Sequence, residues 1–200
     1  KAETFQIEKQ GQLAHIQENE DESLTFGQKI LRRHFFGTHP YASDALGEEA
    51  DLEGLPLDAV SLLHRQLCVG PNLVVAVAGT YTERDLDALC SGLAQLPRGE
   101  GRFNEVQLPF SGPQGPRIYT ERLEREQAVV LRGYPGVGVL DPKGFFVEEV
   151  LDELFSGMSS TLFENVREKL HLAYFVGSSR MNGLRSGLFS FYAGTHQDQT

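Results

Sequence analysis

The alternation of apolar and polar positions divides the chain into helix-like, strand-like and irregular stretches. Residues 2–19 and 23–36 are long, charged and free of proline, and Leu24, Leu31 and Phe35 fall near helical spacing, so both stretches are predicted helices. Asn19-Glu20-Asp21-Glu22 between them reads as a solvated helix end. From Gly37 to Pro56 the chain carries Gly37, Pro40, Gly47, Gly54 and Pro56 with little periodicity, which predicts a long irregular connection. Pro56 suits the first turn of a helix whose apolar positions are Leu57, Val60, Leu63 and Leu67.

The run Leu73-Val74-Val75-Ala76-Val77-Ala78, ended by Gly79, predicts a central strand buried on both faces. Thr82 with Asp85 three residues on predicts a capped helix reaching about Leu93, and strand followed by helix suggests an α/β sandwich. Residues 97–116 hold the chain's densest cluster of Pro and Gly and read as a domain linker. After it, 117–120 and 127–134 read as strands. Asp141-Pro142 opens a helix with Val147, Val150, Leu151 and Leu154 on one face, ended by Gly157. Ser159 is placed to cap a further helix carrying Leu162, Phe163 and Val166, before strand-like stretches at 172–179 and 187–194.

Composition narrows the function classes. The 200 residues suffice for one or two domains, and 40% apolar with 23% charged residues is ordinary for a globular protein. A net charge of -10 disfavours nucleic acid and anionic lipid as partners. No apolar run approaches the ~18 to 20 residues of a membrane helix, and no signal stretch opens the chain, so a soluble protein is expected. The chain opens at Lys1 rather than Met and reads as a processed chain or a piece of a longer one. Cys68 and Cys90 lack any paired motif and read as small, reduced core residues.

Several candidates for chemistry are weak. His15-Ile16-Gln17-Glu18-Asn19 approaches the inverted zinc motif H-x-x-E-H but ends in an amide, a poor zinc ligand, and reads as a surface helix. His34, His39, His64 and His171 have no metal-site spacing. Gly133 to Gly138 contains Pro135 and lacks both phosphate-loop orders, so it reads as a turn, and Ser159 and Ser160 read as helix caps. Arg167 and Tyr174 are different. One lies near a predicted helix end and the other enters the next strand, so that both tips could point the same way. A guanidinium fork and a phenol together can hold a peptide carbonyl or steady an oxyanion.

Three stretches carry a resemblance: Phe36-Gly37-Thr38-His39-Pro40-Tyr41 with Gly47; Val69-Gly70-Pro71-Asn72 through Gly79; and Phe155 through Ser179, extended by 186–189 and 193–195. Together they resemble the insulinase/pitrilysin family of zinc metallopeptidases, which includes the mitochondrial processing peptidase. The resemblance implies an α+β fold of two related, metallohydrolase-like sandwich layers, with antiparallel or mixed sheets and helices on one face. Residues 1–96 would be the later part of one domain and 117–200 the start of the next, joined by 97–116. Family members pair two such halves around an unfolded peptide. Zinc is then expected in the parent enzyme or partner half, bound by a motif upstream of Lys1, and none in this chain.

Aligning the family's E-R/K pair with Glu8-Lys9 puts His15 where active members carry the third zinc ligand, a Glu, as in the family's non-catalytic halves. Arg167 and Tyr174 match the Arg/Tyr pair, seven residues apart, that the metal-free half contributes to the substrate chamber. Ser156 and Thr161 depart from the glycine and arginine common at those positions. The resemblance thus implies a metal-free half that binds extended peptide, partnered by a homologous catalytic half or subunit. The alternative is a catalytically inactive, peptidase-like scaffold or peptide-binding subunit.

Overall fold

The computed structural model describes residues 2–99, 110 and 112–199. The chain forms two compact units, one of Lys1–Gln10 with Glu49–Gln107 and the other of Gly11–Glu48 with Leu108–Thr200. The predicted linker at 97–116 falls largely outside the described residues.

Helix α1 (Ala2–Asp21) begins in the first unit, which also holds α3 (Glu49–Gly54), α4 (Leu57–Leu67) and α5 (Glu83–Leu93). Lys9 Nζ donates to the carbonyls of Glu53 and Leu55 at 2.7 and 3.3 Å, occupying acceptors that the end of α3 leaves free. The capping box predicted at α5 is present: Thr82 Oγ1 accepts the Asp85 N–H at 3.3 Å, and Asp85 Oδ2 accepts that of Thr82 at 2.9 Å. The Thr82 hydroxyl, which donates to Asp85 Oδ2 at 2.7 Å, and the Thr82 N–H together hold the exposed Asp85 carboxyl below its ordinary pKa.

The predicted central strand does not form. Residues 73–78 are in no sheet, and Val74 is 92% exposed. Branched side chains favour extended backbone, but a strand exists only through hydrogen-bonded neighbours, and none of the described residues pairs with this run. Cys68 and Cys90 are free as expected but exposed rather than in a core.

The second unit is built on an antiparallel sheet in the order β1-β3-β2, formed by β1 (Gln127–Val137), β2 (Phe175–Asn182) and β3 (Ser186–His196). β1 pairs with β3 from Gln127↔His196 to Val137↔Ser186, and β2 with β3 from Phe175↔Gly194 to Asn182↔Gly187. The central strand needs Gly187, because a Cβ there would lie 2.5 Å from the Val137 carbonyl oxygen and 2.6 Å from that of Met181. The stretch read as a turn from Gly133 is instead the end of β1. Pro135 is tolerated because β1 is an outer strand among the described residues. Residues 117–120 form no strand, and Tyr119 stacks on His34 with ring centroids 3.7 Å apart.

Helix α2 (Ser23–Phe36) delivers Phe35 and Phe36 to the core, where they meet Leu188 of β3 with Leu31, Tyr41, Phe110 and Met181 around them. The segment after α2 is more ordered than its composition predicts. It holds a 3-10 turn at Pro40–Ala42, runs on into α3, and is bound to α2 by charge. Arg32 pairs with Asp44 at 2.5 Å and Arg33 with Glu48 at 2.7 Å, while Lys29 reaches Glu20 and Glu48 at 3.0 and 3.2 Å. Burial opposes the charge on Lys29, but hydrogen bonds and attraction from Glu20 and Glu48 outweigh it and raise its pKa. Burial likewise opposes charge on Asp44 and Glu48. The Leu46 N–H and Arg32 at Asp44, and Lys29 and Arg33 at Glu48, nevertheless hold both carboxyls below their ordinary values.

Candidate functional site

The segment that carries Arg167 and Tyr174 starts at α6 (Pro142–Phe155), where Asp141 Oδ1 accepts the Gly144 N–H at 3.1 Å and Pro142 occupies the first turn, as predicted. α6 is fastened to the sheet by buried polar groups. Ser178 Oγ donates to Asp152 Oδ1 at 2.6 Å and lies 3.0 Å from Ser156 Oγ, so Ser156 joins this network. Arg180 reaches Glu149 at 3.2 Å and lies over the Phe145 ring. Gly157 then turns the chain with φ at 81°.

The next helix is capped one residue later than expected: Ser160 Oγ, not that of Ser159, accepts the Phe163 N–H at 3.1 Å. Phe163–Lys169 is a π-helix, closed by the Leu170 N–H donating to the Asn165 carbonyl at 3.2 Å. Single π turns occur frequently at functional sites, because the widened turn re-aims side chains that an α-helix would hold elsewhere. The Thr161 carbonyl accepts from Asn165 Nδ2 at 2.8 Å. Lys169 pairs with Glu164 at 2.8 Å and holds that exposed carboxyl below its ordinary pKa.

Arg167 is exposed, with its guanidinium 4.7 Å from the centroid of the Phe163 ring. The chain then reverses through His171, a non-glycine residue at φ 54°. Its return is fixed on both sides: Thr195 Oγ1 donates to the Leu172 carbonyl at 2.6 Å, and the Tyr174 N–H to that of Gly194 at 2.8 Å. Tyr174 remains 54% exposed, so a backbone locked to β3 presents an exposed phenol.

Tyr174 lines an open cleft of about 740 Å³ with Glu124, Arg125, Glu126, Gln127, His196 and Gln197. An adjoining cleft of about 320 Å³ adds His171 and Asp198, whose Oδ2 lies 3.3 Å from His196 Nδ1. Arg167 lines neither cleft, and no contact among the described residues joins it to Tyr174. His15 is exposed on α1, with Nδ1 3.3 Å from Glu18 Oε2. Among the described residues no group of three or more His, Cys, Asp or Glu side chains could hold a metal ion, so the donor set does not fit zinc. The cleft walls at 124–127 and 196–198 went unread in the sequence. The β1–β3 register, which starts at Gln127↔His196 and has no local signal, brings them together, and the Gln197 side chain donates to the Arg125 carbonyl just beyond it.

The family model of the peptidase M16 inactive domain matches residues 55–200. The chain belongs to the peptidase M16 family. It is 26% identical to an uncharacterized zinc protease of Streptomyces coelicolor over 98% of its own length and 44% of that protein's. It is 28% identical to one of Rickettsia felis, over 94% and 44%. The chain thus spans under half the length of these relatives. A crystal structure of a peptidase M16 inactive domain from Pseudomonas fluorescens superposes with a TM-score of 0.76 at 20% identity, over 98% of this chain and 47% of that one. A protease from Helicobacter pylori gives 0.75 at 20% identity, over 98% and 48%. At these identities the structures establish a shared fold.

Proposed function

We propose that this chain is the metal-free half of an M16 zinc peptidase, which binds extended peptide and closes the proteolytic chamber over it. The observation that carries the reading is the mounting of Tyr174: an exposed phenol at a cleft, on backbone held by β3. In this reading the Arg167 fork holds backbone carbonyls of the peptide, and Tyr174 donates to the oxyanion that develops at the scissile carbonyl. Zinc, which the names of the relatives attach to them, belongs to a homologous catalytic half. Residues 1–96 and 117–200 are then parts of successive, related peptidase domains joined by 97–116.

A second reading, a peptide-binding scaffold without catalysis, is favoured by the name of the matching domain and by His15 at the place of a ligand Glu. One experiment separates the two. The complete protein, purified without chelator, is assayed for zinc per chain and for binding and cleavage of fluorescein-labelled casein. About one zinc with cleavage supports the peptidase, and binding without zinc or cleavage supports the scaffold. Casein affinity unchanged in Arg167→Ala would overturn the place of Arg167 in either reading.

A further inference from the structure

Helix α1 ends unfavourably. Its last residues and the one after it read Glu18-Asn19-Glu20-Asp21-Glu22, and its final turn holds no basic residue, so carboxylates crowd the negative end of the helix dipole. The compensation comes from far along the chain. Arg125 Nη2 donates to the Glu20 carbonyl at 2.5 Å, while Nη1 donates to the Asp21 carbonyl and to Ser23 Oγ at 3.2 Å. The Asp21 carboxylate lies 3.8 Å from the same guanidinium. One planar fork therefore satisfies two end-of-helix carbonyls and a hydroxyl of the first residue of α2, from two nitrogens fixed in one plane where an ammonium offers a single point charge.

Arg125 also faces the other way along its own backbone. Its carbonyl accepts from the side-chain amide of Gln197, just beyond the last ladder pair, Gln127↔His196. Arg125 and Gln197 both wall the Tyr174 cleft. We infer that Arg125 is a positioning residue: it fixes the rim of the Tyr174 cleft to the α1–α2 junction, so that the cleft keeps its shape only while that junction is held. The inference rests on the peptide-binding reading for its functional meaning, but the link itself is measurable without peptide.

The test uses the complete protein with Arg125→Ala, Arg125→Lys and, should alanine prevent folding, Arg125→Gln. Amide hydrogen exchange is followed in segments 18–26 and 170–176, alongside affinity for fluorescein-labelled casein. Arg125→Ala is expected to speed exchange in both segments together and to weaken casein binding about tenfold, with lysine recovering only part of each. Faster exchange confined to 18–26, with 170–176 unchanged, would overturn the inference, as would full recovery by lysine. If the wild-type protein bound no casein, the peptide-binding reading would fail, and joint or separate exchange of the two segments would still decide the role of Arg125.

Discussion

The Tyr41 hydroxyl accepts the backbone N–H of Leu184 at 2.8 Å, joining residues 143 positions apart. This bond fastens the segment after α2 to the tip of the β2–β3 hairpin. Gly183 makes it possible, since a Cβ there would lie 2.2 Å from the Tyr41 ring. The Tyr41 ring also packs edge-on against Phe36 with centroids 5.6 Å apart.

Tyr41→Phe keeps that ring packing and removes only the acceptor. A loss of about 1 kcal/mol is expected. Urea unfolding should show a lower midpoint at unchanged slope, and an unchanged midpoint would mean that apolar packing alone holds the segment.

Glu148 is the buried carboxylate of α6, 8% exposed. Its Oε1 accepts the Val137 N–H at 2.7 Å and its Oε2 accepts Asn182 Nδ2 at 2.8 Å, so one side chain ties the helix to the ends of β1 and β2. Glu148→Ala strands the Val137 N–H, leaves the Asn182 amide only its bond to the Val137 carbonyl, and is expected to cost about 3 kcal/mol. Glu148→Gln, which keeps one acceptor, should cost less. Equal losses in urea unfolding would show that the site recognises charge rather than acceptors.

The ion pairs of α2 have a defined pH signature. Asp44 and Glu48 have folded pKa values below their unfolded ones, so their stabilisation is present above the unfolded values and disappears as pH falls through the folded ones. Lys29 is shifted upward, so its contribution is present below its unfolded pKa and is lost only as pH rises through the folded one. Lowering the pH below the ordinary carboxylate range should therefore release the 44–48 segment. Amide protection factors there, corrected for the slower intrinsic exchange in acid, should fall, and Glu48→Gln should remove part of the pH dependence.

Tyr174→Phe in the complete protein tests the oxyanion role directly. Turnover of casein is expected to fall by about 10²-fold with much less change in affinity, as for loss of a single transition-state donor. Unchanged turnover would remove Tyr174 from the mechanism.

What could be read from sequence follows the range of the forces involved. Thr82 with Asp85 and Asp141 with Pro142 announced their helices because a cap is satisfied within four residues. Leu73 to Ala78 misled because extended preference is local and strand pairing is not. Gly133 to Gly138 misled in the opposite direction: its glycines suggested a turn, whereas they serve close approach, Gly136 lying against Leu188 and Glu148.

Consecutive residues were enough to read the main helices, the caps at Thr82 and Asp141, the runs that became β1 to β3, and through their motifs the kinship with M16 peptidases. They also singled out Arg167 and Tyr174. Three-dimensional packing was needed to place Tyr174 in a cleft with 124–127 and 196–198, Arg125 at the end of a helix 105 residues upstream, and Glu148 between two strands. Propensity and capping act over a few bonds and are written in consecutive residues. The strand register that brings Gln127 to His196 is set by which apolar faces bury together, and that choice exists only once the chain has folded on itself.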